Sequence, residues 1–280
     1  MQIRLSLRKA RKRLQYAAIP PAAWLRSVAV STEAPKVFAN SLPKSGTNLT
    51  KRMLGLLPAM SAWLTYHLEY DKHWESRLRR VAPGQIVTAH FKYCPEIAKT
   101  LTELDFKVLL TVRDPRDVAV SNAYYITYMD RSHRLHPYFR ALPSDEERIA
   151  ASIRGIEAQE LPDGKHSKSI GEHVEGYLSW ADHDRCMLVR FEDLIGESGG
   201  GDTTKQQRAI EQVAAHVGLP QTQNQVERIA ARCFSSKSRT FRKGRVGGWQ
   251  TALSEKNKKL FKEVAGEQLI ALGYEADFNW

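Results

Sequence analysis

Lys107-Val108-Leu109-Leu110-Thr111-Val112-Arg113 constrains the fold more than any other stretch of this chain. A strand with one wet face alternates apolar and polar residues. A nearly continuous apolar run instead marks a strand covered on both faces, as in a parallel sheet. Asp114-Pro115 follows at once, with Asp as a helix N-cap and Pro at the first helical position. The same strand-to-helix order recurs upstream. Residues 37–41 read as a strand, a polar loop follows, and residues 47–57 read as a helix ended by Pro58. Further strands are expected at 85–90 and 186–191, and helices at 96–104, 204–217, 223–233 and 254–272, the last closed by Gly273. Strands alternating with helices predict an α/β class protein, a P-loop-like three-layer fold whose central parallel sheet of about five strands is flanked by helices. Residues 59–84 are mixed and aromatic, with Trp63, Tyr66, Tyr70 and Trp74. Residues 130–170 are polar and rich in His, Pro and Gly, and read as a mobile, lid-like insertion with short helices.

The chain of 280 residues is long enough for one domain or at most two. No stretch approaches the roughly 18 apolar residues of a membrane span. Cys94, Cys186 and Cys233 are odd in number and far apart, so they form neither a disulfide framework nor a Cys-x-x-Cys metal pair. A reducing compartment suits them, and a cytoplasmic location is expected. The net charge of +11 is uneven: residues 1–32 hold seven Arg and Lys and no acid, leaving +4 for the rest. Ile3, Leu7, Ala10, Leu14 and Ala18 share one helical face until Pro20-Pro21 ends the pattern. Residues 1–32 are therefore a basic amphipathic arm ahead of a domain at 33–280. Through residues 1–26 the arm suits peripheral contact with an anionic membrane, and it equally suits packing as a solvated helix on the domain. No nucleic-acid motif is present, and no nucleic-acid partner is expected.

Three loops carry the chemistry. The first is Asn40-Ser41-Leu42-Pro43-Lys44-Ser45-Gly46-Thr47-Asn48. A polar loop between a strand and a helix N-terminus is an anion site, because the first helical amides lack internal partners and the macrodipole is positive there. Lys44 adds a full charge, and Ser45 and Thr47 add hydroxyls. The second is Arg113 through Ser121, where an Arg stands at the carboxyl end of the buried strand. Its planar fork suits two phosphate oxygens, and pairing with Asp117 is the structural alternative. The third, Phe241-Arg242-Lys243-Gly244-Arg245-Val246-Gly247-Gly248-Trp249, can wrap an anion with amides and cations. Together the loops suggest a ligand with two phosphate-like ends.

In this order, the motifs resemble those of sulfotransferases that use 3′-phosphoadenosine 5′-phosphosulfate (PAPS), over roughly residues 36–275. Residues 42–48 resemble the 5′-phosphosulfate loop, 113–121 the 3′-phosphate motif, and 242–249 the loop that covers the nucleotide. The resemblance implies that Lys44, Ser45, Gly46, Thr47 and Asn48 hold the 5′ end, and that Arg113, Ser121, Arg242, Lys243 and Gly244 hold the 3′-phosphate. It further implies that Phe191 lies near adenine and that Phe234 flanks the base. Three departures stand out: Asn48 replaces a common second Thr, Leu49 replaces a frequent Trp, and Gly248 replaces a frequent Asp.

The implied reaction moves a sulfuryl group from PAPS to a hydroxyl acceptor by in-line displacement and leaves the 3′,5′-diphosphate (PAP). Such transfer rests on positioning and charge stabilisation. His90 ends the strand 85–90 and, by the resemblance, is the base. Lys44 would donate to the bridging oxygen, and Ser121 would hold Lys44 off it until acceptor binds. No metal is expected: the nearest ligand pair, His183 and Cys186, is isolated. Two other readings use the same features. A P-loop kinase or NTPase shares the fold logic, but its usual loop is Gly-x-x-x-x-Gly-Lys-Ser/Thr, and here the lysine precedes a single glycine. A basic membrane-binding module without catalysis would use the arm alone. The acceptor stays open between lipid, glycan and small natural product. Trp63–Trp74, Tyr93, Tyr124, Tyr125 and Tyr128 can line its pocket or serve as core.

Overall fold

The computed structural model describes residues 33–61, 65–234 and 245–280. The basic arm, Trp63 and the Arg242-Lys243-Gly244 segment lie outside the described residues. Five strands form one sheet: β1 (Lys36–Ser41), β2 (Tyr66–Leu68), β3 (Ile86–Ala89), β4 (Phe106–Val112) and β5 (Cys186–Arg190). Their order is β2-β3-β1-β4-β5 and every pairing is parallel. The described helices used below are α1 (Thr47–Leu54), α2 (Trp74–Leu78), α3 (Pro95–Glu103), α4 (Pro115–Tyr124), α5 (His136–Ala141), α6 (Asp145–Arg154), α7 (Ile170–Leu178), α8 (Phe191–Leu194), α9 (Thr203–His216), α10 (Gln223–Cys233), α11 (Trp249–Ala252) and α12 (Glu255–Ala271). This is the three-layer α/β fold expected from the strand and helix alternation.

The chain divides into two compact units. Described residues 33–41, 46–112 and 180–234 make the first; 42–45, 113–179 and 245–280 make the second. The first unit holds the whole sheet. Side chains two apart on a strand share a face, so Val37 and Ala39 enter one core with Met53 and Leu54 of α1, Ile210 and Val213 of α9, and Val226 and Ile229 of α10. Phe38 faces the other way, against Phe91 at 5.8 Å and Trp180 at 6.2 Å. Each fully buried aliphatic side chain contributes about 1.5–3 kcal/mol, so this two-faced burial holds the sheet. Buried β4, apolar at nearly every position, needs both faces covered for that reason.

Local boundaries differ from the sequence reading in two places. The first helix ends at Leu54, three residues before Leu57. Gly55 weakens helical continuation, and the chain tightens there: the Leu56 and Leu57 amides donate to Met53 O and Leu54 O at 3.0 and 3.1 Å. Leu57 nevertheless stays in the core. The aromatic stretch 59–84 contains β2 and α2. A three-residue strand is too short to show alternation, and it is held by its pairing with β3.

The second unit is helical. Asp114 caps α4 by accepting the Arg116 amide at 2.9 Å, with Pro115 at the first position. Residues 130–170 include α5 and α6. Helix α6 packs on α4 and α12 and buries Ile149, Ala151, Ser152 and Ile153, so this part of the stretch is core of its unit. Helix α12 is kinked at Ala265.

Two half-buried histidines make stability pH-dependent. His216 Nε2–H donates to Val108 O at 3.0 Å, and His133 Nδ1 accepts the Leu135 amide at 3.2 Å. Burial pushes both below the ordinary value of 6.5. A base with a depressed value in the native state binds protons more readily when unfolded, so its contribution is intact above 6.5 and is lost as pH falls toward the folded value. Thermal melts should therefore show Tm falling as pH drops below about 6.5. His216→Gln, which keeps a donor without the titration, should flatten that slope.

Candidate active site

A sheet that reverses its strand order carries ligands beyond the carboxyl ends of its strands, at the switch point. Here the switch lies at β1, which pairs with β3 on one side and β4 on the other. The residues that follow these strands are Leu42, His90 and Arg113. The expected site residues divide between the two units.

In the first unit, His90 follows β3. Its Nδ1 lies 2.8 Å from the Ser41 carbonyl oxygen. A carbonyl only accepts, so Nδ1 carries a proton, and in the neutral ring the lone pair is then on Nε2. The Ser41 hydroxyl is 2.7 Å from Thr47 Oγ1, tying the end of β1 to the start of α1. Asn40 fixes the backbone beyond His90: its amide donates to Phe91 O at 2.8 Å and its oxygen accepts the Phe91 amide at 2.9 Å. Trp180 Nε1–H reaches the same Phe91 oxygen at 2.9 Å. His67, on β2, stands with its ring centroid 4.7 Å from that of His90. Tyr70 is 66 % exposed, edge-on to Phe91 at 5.4 Å and stacked on Trp74 at 6.4 Å.

Helix α1 opens at Gly46, whose φ is +97°. No described side chain caps it and no acid lies in its first turn, so its leading amides suit an external anion. Gly46 is required twice over. A Cβ there would sit 2.5 Å from Phe191 Cδ2, and positive φ strains any L-residue. Phe191, 6 % exposed, thus forms the floor beneath the Gly46 turn. Phe234 is half-buried just beyond α10. Asn48 is exposed, and Leu49 packs against the core.

In the second unit, Lys44 has left-handed backbone, φ +70°, and its Nζ lies 3.6 Å from the Tyr125 ring centroid. The Ser45 hydroxyl oxygen is buried with no hydrogen-bond partner among the described residues. Arg113 Nη2 donates to Asp117 Oδ2 at 3.2 Å and to Arg245 O at 2.9 Å. The ion pair considered from sequence is thus present, and it is more than a local pair. Asp117 also accepts the Gly247 amide at 3.1 Å and the Trp249 amide at 2.9 Å. One carboxylate thereby anchors the described end of the third loop. Burial pushes the Asp117 carboxyl up, with Arg113 opposing. Trp249 is fixed from behind by the Arg116 guanidinium, 3.7 Å from its ring, which pairs with Asp114 at 2.8 Å and Glu275 at 2.6 Å. Ser121 lies on α4, half-buried.

A family model for the sulfotransferase domain matches residues 34–273. The chain belongs to the sulfotransferase family. Family members move a sulfuryl group from PAPS, and this sulfotransferase is an enzyme of that kind. It is 25% identical to human sulfotransferase 6B1 over 265 residues, covering 84% of this chain and 78% of that protein. Two solved structures share the fold. Mouse sulfotransferase SULT7A1 complexed with PAP superposes with a TM-score of 0.59 at 18% identity, covering 88% of each chain. Retinol dehydratase in complex with androsterone and inactive cofactor PAP gives 0.54 at 16% identity, covering 89% of this chain and 85% of that one.

In each unit the residues present suit anions: the leading amides of α1 in the first, and the buried Ser45 hydroxyl, Lys44 and Arg113 in the second, are donors or cations, the complement of phosphate and sulfate oxygens. Among the described residues no group of three or more His, Cys, Asp or Glu side chains could hold a metal. Burial pushes the Cys186 thiol up to about 12, and His183 Nε2 faces Thr102 Oγ1 at 3.3 Å. No helix among the described residues is long and apolar enough to cross a membrane.

Sequence reasoning placed Asn40 and Ser41 in the first loop without a role of their own, passed over His67, and treated Asp117 only as a rival partner for Arg113. Asn40 and Ser41 carried a signal: two polar residues follow the apolar run Val37-Phe38-Ala39 at the end of the strand. Asp117→Ala should leave two loop amides and Arg113 without their acceptor. Hydrogen bonds to a charged group contribute about 1.5–3 kcal/mol each, so PAP affinity measured by calorimetry should fall at least about tenfold. Because the Asp117 value is raised, its charged form is lost earlier on acidification than for an ordinary carboxyl. PAP binding by the parent enzyme should weaken over that acid range, and the Ala variant should lose this dependence.

Proposed function

We propose that this sulfotransferase passes the sulfuryl group of PAPS to an acceptor hydroxyl with His90 as general base. The observation that carries the assignment is the Nδ1–H hydrogen bond to Ser41 O, which leaves Nε2 as the proton acceptor. When bound, PAPS supplies a sulfuryl group on a stable diphosphate leaving group. Lys44 donates to the negative charge that develops on the leaving side. The amides of Thr47 and Asn48 and the Ser45 hydroxyl bind the 5′ end, and Arg113, Ser121, Arg242, Lys243 and Gly244 bind the 3′-phosphate. Phe191 and Phe234 serve the base, Phe191 through its packing under Gly46.

The exposed Tyr70 ring, backed by Phe91 and Trp74, favours an acceptor that presents an apolar or sugar face beside its hydroxyl. Transfer of radiolabelled sulfate from PAPS to lipid, glycan and phenolic acceptors tests the reading. Label should appear in acceptor only with donor and enzyme together, and Lys44→Ala or Arg113→Ala should weaken PAP binding. Undiminished PAP binding by both variants would overturn the assignment of the binding residues.

The arm at residues 1–32, with seven cations and no acid, supports a membrane address. Deleting it should preserve turnover and abolish binding to vesicles that contain anionic lipid.

A further inference from the structure

Lys44 does not extend into solvent. Its ammonium nitrogen lies 3.6 Å from the centroid of the Tyr125 ring, well inside the roughly 6 Å range of cation–π attraction. Two features make this contact a built one. The left-handed backbone at Lys44, a conformation rare for L-residues, sets the direction of its side chain. The ring is held as well. Tyr125 opens a π-helical turn, Tyr125–Met129, that continues α4, and such turns are frequent at functional sites. The turn closes with the Asp130 amide on Tyr125 O at 3.0 Å, and the Tyr125 hydroxyl donates to Asp130 Oδ2 at 3.1 Å. Ser121 lies four residues earlier, and its carbonyl accepts the Tyr125 amide. Residues four apart share a helical face, so Ser121 and Tyr125 offer a hydroxyl and a ring along one line.

We propose that Tyr125 is a positioning residue for sulfuryl transfer, its ring face holding the Lys44 ammonium at the Ser121 face of α4. The inference rests on the proposed role of Lys44 on the leaving side. A lysine side chain has four rotatable bonds and loses much rotamer freedom when fixed. The ring bears that ordering before reaction, and the ammonium keeps N–H donors for the developing negative charge. Tyr125 touches no reacting atom and acts through Lys44 alone. The ring face is the working part, and the hydroxyl serves only to orient it through Asp130.

The experiment compares Tyr125→Phe, Tyr125→Leu and 3,4,5-trifluorophenylalanine at position 125 in the full chain. The fluorinated ring keeps the shape and removes the negative face, so it tests the idea even where the leucine variant folds poorly. Turnover with saturating PAPS should fall about 3- to 30-fold for the leucine and fluorinated variants, with acceptor KM nearly constant. Tyr125→Phe should stay within about twofold of the parent. A second readout needs no turnover: the ε-methylene resonance of Lys44 in 13C-lysine-labelled enzyme, assigned with Lys44→Arg, should be shifted upfield by the ring current. Tyr125→Leu should return it to the position of a solvated lysine. An unshifted Lys44 resonance overturns the inference, as does normal turnover in the fluorinated variant. Failure of the parent enzyme to transfer label would strike the role of Lys44 instead, and leaves the resonance to decide the contact.

Discussion

Replacing His90 by alanine is expected to lower kcat by about 10²–10⁴-fold while PAP affinity stays within about twofold. General base catalysis is worth that factor when the base is oriented, and here the orientation has a visible cause. Ser41 O accepts from Nδ1, so a single tautomer is favoured and Nε2 is the basic atom. Asn40 and Trp180 both bind the backbone of Phe91, so the residue after His90 is anchored by three hydrogen bonds. The measurement is steady-state sulfuryl transfer beside calorimetry with PAP. Near-normal turnover in His90→Ala would remove the base from His90. His67 is the neighbouring imidazole, and its Nδ1 is engaged with Thr88 Oγ1 at 3.2 Å. His67→Ala should therefore cost far less than His90→Ala.

The second large effect is expected from a single methyl group. Gly46→Ala should reduce PAP affinity by at least about 100-fold and destabilise the protein by about 2–4 kcal/mol. The added Cβ would meet Phe191 Cδ2 at 2.5 Å, and φ of +97° would strain the backbone regardless of space. Displacing the turn also re-aims the leading amides of α1, which are its anion donors. The two causes can be separated. In Gly46→Ala with Phe191→Ala the clash is gone and the strain remains, so melting should show partial recovery relative to the sum of the single variants. Strict additivity would mean that Phe191 and Gly46 are not coupled.

Much of the architecture was legible from local pattern. The apolar run in β4, the Asp114-Pro115 start of α4 and the end of α12 before Gly273 all follow from rules that act within a few residues. The three loops were legible because anion binding needs particular residue types at strand-to-helix turns. What escaped was set by distant partners. Strand β2 exists through its pairing with β3. Asn40 is an anchor because Phe91, 51 residues later, lies against it. Asp117 read as a partner for Arg113, and became a loop anchor only when Gly247 and Trp249, 130 and 132 residues away, presented their amides.

The amino-acid sequence by itself determined the alternation of strands and helices, the cationic loops and the family, since hydrophobic period, capping and short motifs are local properties. Tertiary structure alone decided the chemistry's fine control. It selected the His90 tautomer, placed Phe191 under Gly46, and set the Lys44 ammonium on the Tyr125 ring. Each of these is a contact between residues far apart in the chain, created when burial of apolar surface closes the fold.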